Sequence, residues 1–150
     1  MKELIGKTIT AMYVNQDESM LKFSIQGGED IVYITNGDCC SETWFADIIF
    51  NRYNDKFPMA VNTVVELQIP AFVSKMADYD GRGRQEYDQV YGYGIAGGVK
   101  NIEIIYRNSS NGYYGGSCEV ADMDSSYDKK RVDAATWTSI TDDWSAVGNG

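Results

Sequence analysis

Residues 8–34 read TITAMYVNQDESMLKFSIQGGEDIVYI, and the fold follows from the pattern in this stretch. Apolar and polar side chains alternate over residues 8–14 and again over residues 20–25, with the period of a β-strand rather than of a helix. A polar turn at 15–19 and a pair of glycines separate these two runs from a third apolar run at 31–34. The stretch therefore predicts a three-stranded antiparallel meander.

The segment that follows the meander has the features of a short helix. Ser41 is a suitable N-cap residue, with Glu42 in the first turn of the helix. Four apolar side chains then recur with the spacing of one helical face: Trp44, Phe45, Ile48 and Ile49. We expect a helix that ends near Asn51 and covers one face of the sheet.

Four further strands are predicted from alternating apolar residues, at 61–69, 91–95, 99–108 and 113–120. The polar, glycine-containing segment 78–89 is interpreted as a solvated loop. Asn111-Gly112 is typical of a two-residue hairpin turn, so the last two strands are expected to pair with each other. Residues 1–121 are therefore predicted to form an α+β but mostly β domain, a single twisted antiparallel sheet of about six or seven strands covered by one short helix.

Residues 122–150 are predicted to be a polar extension with a docking helix near its end. Four apolar side chains recur there at spacings of three and four: Trp137, Ile140, Trp144 and Val147. A helix this short is marginal by itself, so it must pack on another surface. The chain's own domain is the favoured surface, and another chain is the alternative.

The composition narrows the class of function. The chain has 150 residues, and its 13 basic and 22 acidic residues give a formal charge of −9, which argues against direct binding to nucleic acid. It contains no histidine, so the commonest general base and the commonest transition-metal ligand are missing. We therefore expect a protein that is not an enzyme and holds no cofactor or metal. Catalysis by a carboxylate pair such as Asp122 and Asp124 stays open as an alternative.

The expected location is the cytoplasm. No run of residues approaches the roughly 18 apolar residues of a membrane span, and the first residues lack the apolar stretch of a signal peptide. Cys39, Cys40 and Cys118 are interpreted as free thiols in a reducing compartment. A zinc site built on these thiols would need a carboxylate such as Asp38 as its fourth ligand.

Residues 107–116, RNSSNGYYGG, have the composition of a recognition surface, because adaptable hydrogen-bonding groups stand beside rigid aromatic rings. Two arginines further up the chain would complete an anion pocket with the arginine of this segment, and two tail tryptophans are further candidates for partner contacts. The predicted binding residues are Arg82, Arg84, Arg107, Asn108, Ser109, Ser110, Asn111, Tyr113, Tyr114, Trp137 and Trp144. The structural alternative is a hairpin whose turn and tyrosines serve only the packing of the sheet.

Three segments resemble a small family of uncharacterised proteins encoded by bacteriophages and prophages: GDCCSETWF at 37–45, DGRGRQ at 80–85 and RNSSNGYYGG at 107–116. The resemblance extends over about residues 4–116. It implies a phage setting but no catalytic residues, since the family is a domain of unknown function. A phage setting implies either an inhibitor of host defence or host transcription, or a minor part of the virion.

Together these observations predict a non-enzymatic phage accessory protein that binds and neutralises a host component in the host cytoplasm. The partner is either a host protein, which the acidic surface fits, or a small anionic, nucleotide-like ligand, which the arginines fit. The alternative function is a minor structural component of the phage virion. Assembly into a homo-oligomer stays open.

Overall fold

The computed structural model describes residues 1–37, 41–51, 56–67, 87–110 and 116–146. These residues contain eleven β-strands, one α-helix and a short 3-10 helix at Lys2–Leu4. The strands are β1 (Thr8–Asn15), β2 (Met20–Ile25), β3 (Ile31–Gly37), β4 (Ser41–Phe50), β5 (Met59–Ala60), β6 (Thr63–Glu66), β7 (Tyr87–Gly97), β8 (Lys100–Ser110), β9 (Gly116–Val120), β10 (Trp137–Ser139) and β11 (Trp144–Ser145), and the helix α1 is Ser126–Ala134.

The strands form two sheets, and all of their described pairings are antiparallel. Sheet A has the order β10-β1-β2-β3-β9, with β5 also paired to β1, and sheet B has the order β11-β4-β8-β7-β6. The mostly β, antiparallel class predicted from the sequence is confirmed. The prediction of a single sheet is wrong, because the apolar faces of two sheets enclose the core.

The predicted meander is confirmed as β1-β2-β3, but a β-bulge in β1 changes which residues face the core. Ile9 pairs with Ile25, whereas Ala11 pairs with Ser24, so one extra residue interrupts the alternation. After the bulge Met12 is fully buried, while Ala11 is only half-buried. Simple alternation from Thr8 onward therefore places the wrong side chains inward.

The helix predicted after Ser41 is wrong, because this segment is strand β4. It pairs with β8 over nearly its whole length, and its register shifts between Phe45 and Asp47. This bulge moves the apolar residues out of strict alternation, so that they imitate the spacing of a helical face. Phe45, Ile48 and Phe50 face the core between the sheets, while Trp44 is buried on the opposite face.

Other strand predictions are confirmed in part. The predictions at 91–95 and 99–108 correspond to β7 and β8, and residues 63–66 form β6. Of the predicted loop, residues 87–89 begin β7, and the remainder lies outside the described residues. The predicted hairpin is wrong, because β8 pairs with β4 and β7 whereas β9 pairs with β3 in the other sheet.

The main core is built from both sheets. Its buried members include Leu21, Phe23 and Tyr33 from sheet A and Phe45, Ile104 and Tyr106 from sheet B. A second, smaller cluster lies on the other face of sheet A, where residues from β2 and β3 pack with Val132 of α1. Burial on both faces of sheet A explains its run of apolar residues at 31–34.

The tail does not form the helix predicted at its end. Trp137 lies in β10 at the edge of sheet A, and Trp144 lies in β11 at the edge of sheet B. Ile140, between these strands, is buried in the main core. The apolar residues therefore recur because the tail reaches two sheets in turn. No helix among the described residues is long and apolar enough to cross a membrane.

Candidate binding site

The four consecutive residues Arg107 to Ser110 lie at the end of β8 and are buried. Arg107 is 5% exposed and Ser110 is 1% exposed. The Arg107 guanidinium carbon lies 5.0 Å from the centroid of the ring of Trp44, its neighbour on β4. Their role in partner contact stays a prediction, and their burial favours a role in stability.

Asn108 lies where the backbone of sheet A comes close to sheet B. The hydroxyl of Thr43, its register partner on β4, donates a hydrogen bond of 2.7 Å to the Asn108 side-chain oxygen. A Cβ on Gly116 of sheet A would lie 2.5 Å from the Thr43 hydroxyl oxygen and 2.9 Å from the Asn108 side chain. The glycine therefore allows the backbone of one sheet to approach polar side chains of the other.

The remaining predicted residues fall into two groups. Those in the first group lie outside the described residues: Arg82, Arg84, Asn111, Tyr113 and Tyr114. The two tail tryptophans form the second group, and both pack on the chain itself. The Lys22 ammonium lies 4.6 Å from the Trp137 ring centroid and 4.7 Å from that of Tyr13, and Trp144 packs beside Trp44. The tail therefore packs on the chain's own domain, which is the surface that the sequence analysis favours.

A cleft that the sequence interpretation missed lies beside the end of β6 and the middle of β7. We call it the tyrosine cleft and define it by its described lining: Glu66, Leu67, Val90, Tyr91, Gly92, Tyr93 and Tyr106. Its volume is about 420 Å³, within the range of small-ligand sites. The cleft therefore combines aromatic side chains with one carboxylate in a concave surface.

The pairing of β7 with β8 builds the aromatic wall of the cleft. Tyr91 and Tyr93 are two residues apart on β7, so their rings share one face of the strand. The Tyr106 ring on β8 is stacked with both, at centroid distances of 5.0 Å from Tyr91 and 6.2 Å from Tyr93. Tyr91 also donates a hydrogen bond of 2.8 Å to the Gln89 side-chain oxygen. The i, i+2 spacing of the β7 tyrosines is the sequence feature that points to this wall.

Burial raises the pKa values of two phenols of the cleft, those of Tyr93 and Tyr106. Burial raises the pKa of Tyr93, and the charges of Cys118 and Glu66 act in the same direction. Burial likewise raises the pKa of Tyr106, whose hydroxyl is hydrogen-bonded to that of Tyr93. Burial also raises the pKa of Cys118 to about 12. At neutral pH the Tyr93 and Tyr106 phenols and the Cys118 thiol are therefore uncharged, and Glu66 is the acidic residue of the described lining.

The described residues offer no metal centre. None of their acidic or thiol side chains forms a group of three arranged to hold a metal ion. A groove of about 420 Å³ next to β3 and β9 is lined by Glu3, Asp30 and Asp122 together with apolar side chains. It is a second concave surface with acidic lining.

Two facing antiparallel sheets, completed by edge strands from the tail, define a small, mostly β protein. Within this class the chain belongs to the family described as a domain of unknown function (DUF7448), whose model matches residues 2–120. No curated protein and no solved structure matches the chain. The matched region ends with β9, so α1, β10 and β11 lie beyond it.

Proposed function

We propose that this protein is a phage accessory protein that acts in the host cytoplasm by binding and neutralising a basic host protein, without catalysing a reaction. The observation that supports this proposal is a difference in exposure between the basic and the acidic side chains. Most of the described basic side chains contact other groups of the chain, whereas many of the carboxylates are exposed to solvent.

Six of the described basic side chains contact other groups of the chain: Lys22, Lys56, Lys100, Arg107, Lys129 and Arg131. Lys22 lies between two aromatic rings, and Arg107 is buried against Trp44. Lys56 lies 3.5 Å from the Asp142 carboxylate. Lys22, Lys56 and Arg107 are therefore less accessible to a partner, whereas Lys129 is exposed to solvent.

Exposed acidic side chains are more numerous, although Asp142 and Asp133 pair with Lys56 and Lys129. Those exposed to solvent include Glu29, Asp30, Glu66, Glu103, Glu119, Asp122, Asp124, Asp133, Asp142 and Asp143. With a formal charge of −9, the surface has a negative field that attracts a basic partner and accelerates its association. The field supports a protein with a basic groove more than a small anionic ligand, because an anion would be repelled.

Affinity capture from a lysate of the bacterial host tests the proposal. We expect one basic protein to be retained in stoichiometric amount and to be displaced by a polyanion such as heparin, which competes for the same basic groove. If the captured chain instead retains a nucleotide that is released on denaturation, the result would show that the partner is a small ligand and not a protein. Presence of the chain in purified virions at a fixed copy number would favour the structural alternative.

A further inference from the structure

We infer that the tyrosine cleft receives a single cationic side chain, the ammonium of a lysine or the guanidinium of an arginine, from the basic partner. This inference rests on the proposed function and names the contact by which the partner is anchored. It assigns a binding role to Tyr91, Tyr93 and Glu66, none of which belongs to the surface predicted from the sequence.

The cleft is large enough for one extended lysine or arginine side chain. Its volume of about 420 Å³ is at the lower end of the range for ligand pockets. Tyr91 and Tyr93 are half-buried, so each retains accessible surface, while Tyr106 is 6% exposed and its ring is stacked with both. The stacked arrangement fixes the two accessible rings without a partner present.

The chemistry of the lining selects a positive charge. Aromatic faces carry negative potential and attract ammonium and guanidinium groups within about 6 Å of the ring centroid. Glu66 is exposed at the cleft and adds a full negative charge, while none of the described lining residues is basic. An anion would meet the carboxylate and the electron-rich ring faces, so a cation is the complementary ligand.

The same chain already holds a cation in this way on sheet A. The ammonium of Lys22 lies 4.7 Å from the Tyr13 ring centroid and 4.6 Å from that of Trp137. In that arrangement the rings stand on neighbouring strands, and Lys22 on β2 is the register partner of Tyr13. At the tyrosine cleft of sheet B the rings of Tyr91 and Tyr93 are stacked with Tyr106, and no described lysine or arginine lines the cleft.

The test is an NMR titration of the full chain labelled in its tyrosine rings, with acetyl-lysine methylamide as the probe. Its Nε-acetylated derivative is the neutral control. We expect the charged probe to shift the Tyr91 and Tyr93 ring signals at concentrations up to roughly 50 mM, because a single side chain binds weakly. The neutral derivative leaves these signals in place.

Two variants locate the site. Glu66→Gln is expected to weaken probe binding roughly fivefold, which corresponds to loss of about 1 kcal/mol of charge attraction. Glu103→Gln removes an exposed carboxylate on β8, outside the described lining of the cleft, and is expected to leave the affinity unchanged. No shift with the charged probe, equal shifts with the neutral derivative, or unchanged affinity in Glu66→Gln would each overturn the inference.

The probe requires no host partner, so its outcome is independent of the capture experiment. A chain that captures a basic host protein but does not bind the probe would refute the cationic cleft and leave the proposed function standing. A chain that binds the probe but captures no basic protein would refute the proposed function and leave the cationic cleft standing. The cleft would then bind another basic ligand.

Discussion

Trp44 and Arg107 are directly opposite each other on β4 and β8, and the Arg107 guanidinium carbon lies 5.0 Å from the Trp44 ring centroid. Trp44 is fully buried, and the cluster around it includes Trp144 and Ala146 from the tail. The guanidinium and the indole thus stabilise the face of sheet B that is turned away from the main core.

This pair gives the first prediction. Trp44→Ala is expected to lower the free energy of unfolding by about 3 to 5 kcal/mol, because a fully buried indole is removed. Arg107→Ala is expected to lower the free energy of unfolding by about 2 kcal/mol. The variant loses the packing of the arginine side chain and its buried cation–π contact with Trp44. Urea unfolding of both single variants and the double variant gives the coupling energy, and strictly additive losses would contradict a direct interaction.

A second prediction concerns the close approach of β7 to the β5 segment. A Cβ on Gly97 would overlap the carbonyl oxygen of Ala60, which is backbone and cannot rotate away. Gly97→Ala is therefore expected to destabilise the chain by about 1 to 3 kcal/mol. Gly28→Ala is the matched control, since its Cβ would meet only Ile25 at 3.5 Å. Equal melting temperatures for the two variants would show that the backbones separate at little cost.

The dependence of folding stability on pH above neutrality gives a third prediction. Burial raises the pKa of Cys118 from 9.0 to about 12 and raises the pKa values of Tyr33, Tyr93 and Tyr106 above 10.0. Above about pH 9 the unfolded chain loses protons that the folded chain retains, so stability falls as the pH rises. Urea midpoints measured from pH 8 to pH 11 are expected to decrease, with a smaller slope in Cys118→Ser. A constant midpoint would mean that these groups are solvated.

A fourth prediction tests whether the tail belongs to the folded unit. Ile140 is 2% exposed, and its backbone N–H donates to the Met12 carbonyl oxygen at 2.9 Å. Ile140→Ala is expected to cost about 2 to 4 kcal/mol, a loss typical of a core residue. Thr138→Ala, at an exposed position of β10, is expected to change stability by less than about 0.5 kcal/mol. Similar small losses in both variants would show that the tail docks only weakly.

The sequence predicts local alternation well and the partner of each strand poorly. The meander was predictable because its three strands are consecutive and their turns are short. The hairpin pattern predicts that β9 pairs with β8. In the structure β9 pairs with β3, which lies more than 70 residues earlier in the chain. A turn pattern at residues 111–112 contains no information about which sheet the next strand joins.

Irregular strands explain the wrong helix. The bulge in β4 shifts its register after Phe45, so Ile48 follows at the spacing of a helical turn. A similar ambiguity affected the tail, where Trp137 and Trp144 belong to different sheets. Both cases are short apolar runs, for which periodicity alone does not separate strand from helix.

The candidate site could be predicted only in part. The polar run at Arg107–Ser110 has the composition of a recognition surface, yet all four of its residues are buried. The tyrosine cleft depends on the register of β7 against β8, which brings Tyr91 beside Tyr106. Since register is a tertiary property, the two separate segments showed no sign of a shared surface.

The sharpest measurement is the salt dependence of affinity for the captured host protein, determined by titration calorimetry at low and moderate ionic strength. If the acidic surface attracts a basic groove, the affinity should fall at least roughly tenfold between about 50 and 200 mM NaCl, because salt screens exposed charges. An affinity that is unchanged over this range would contradict binding through the negative surface.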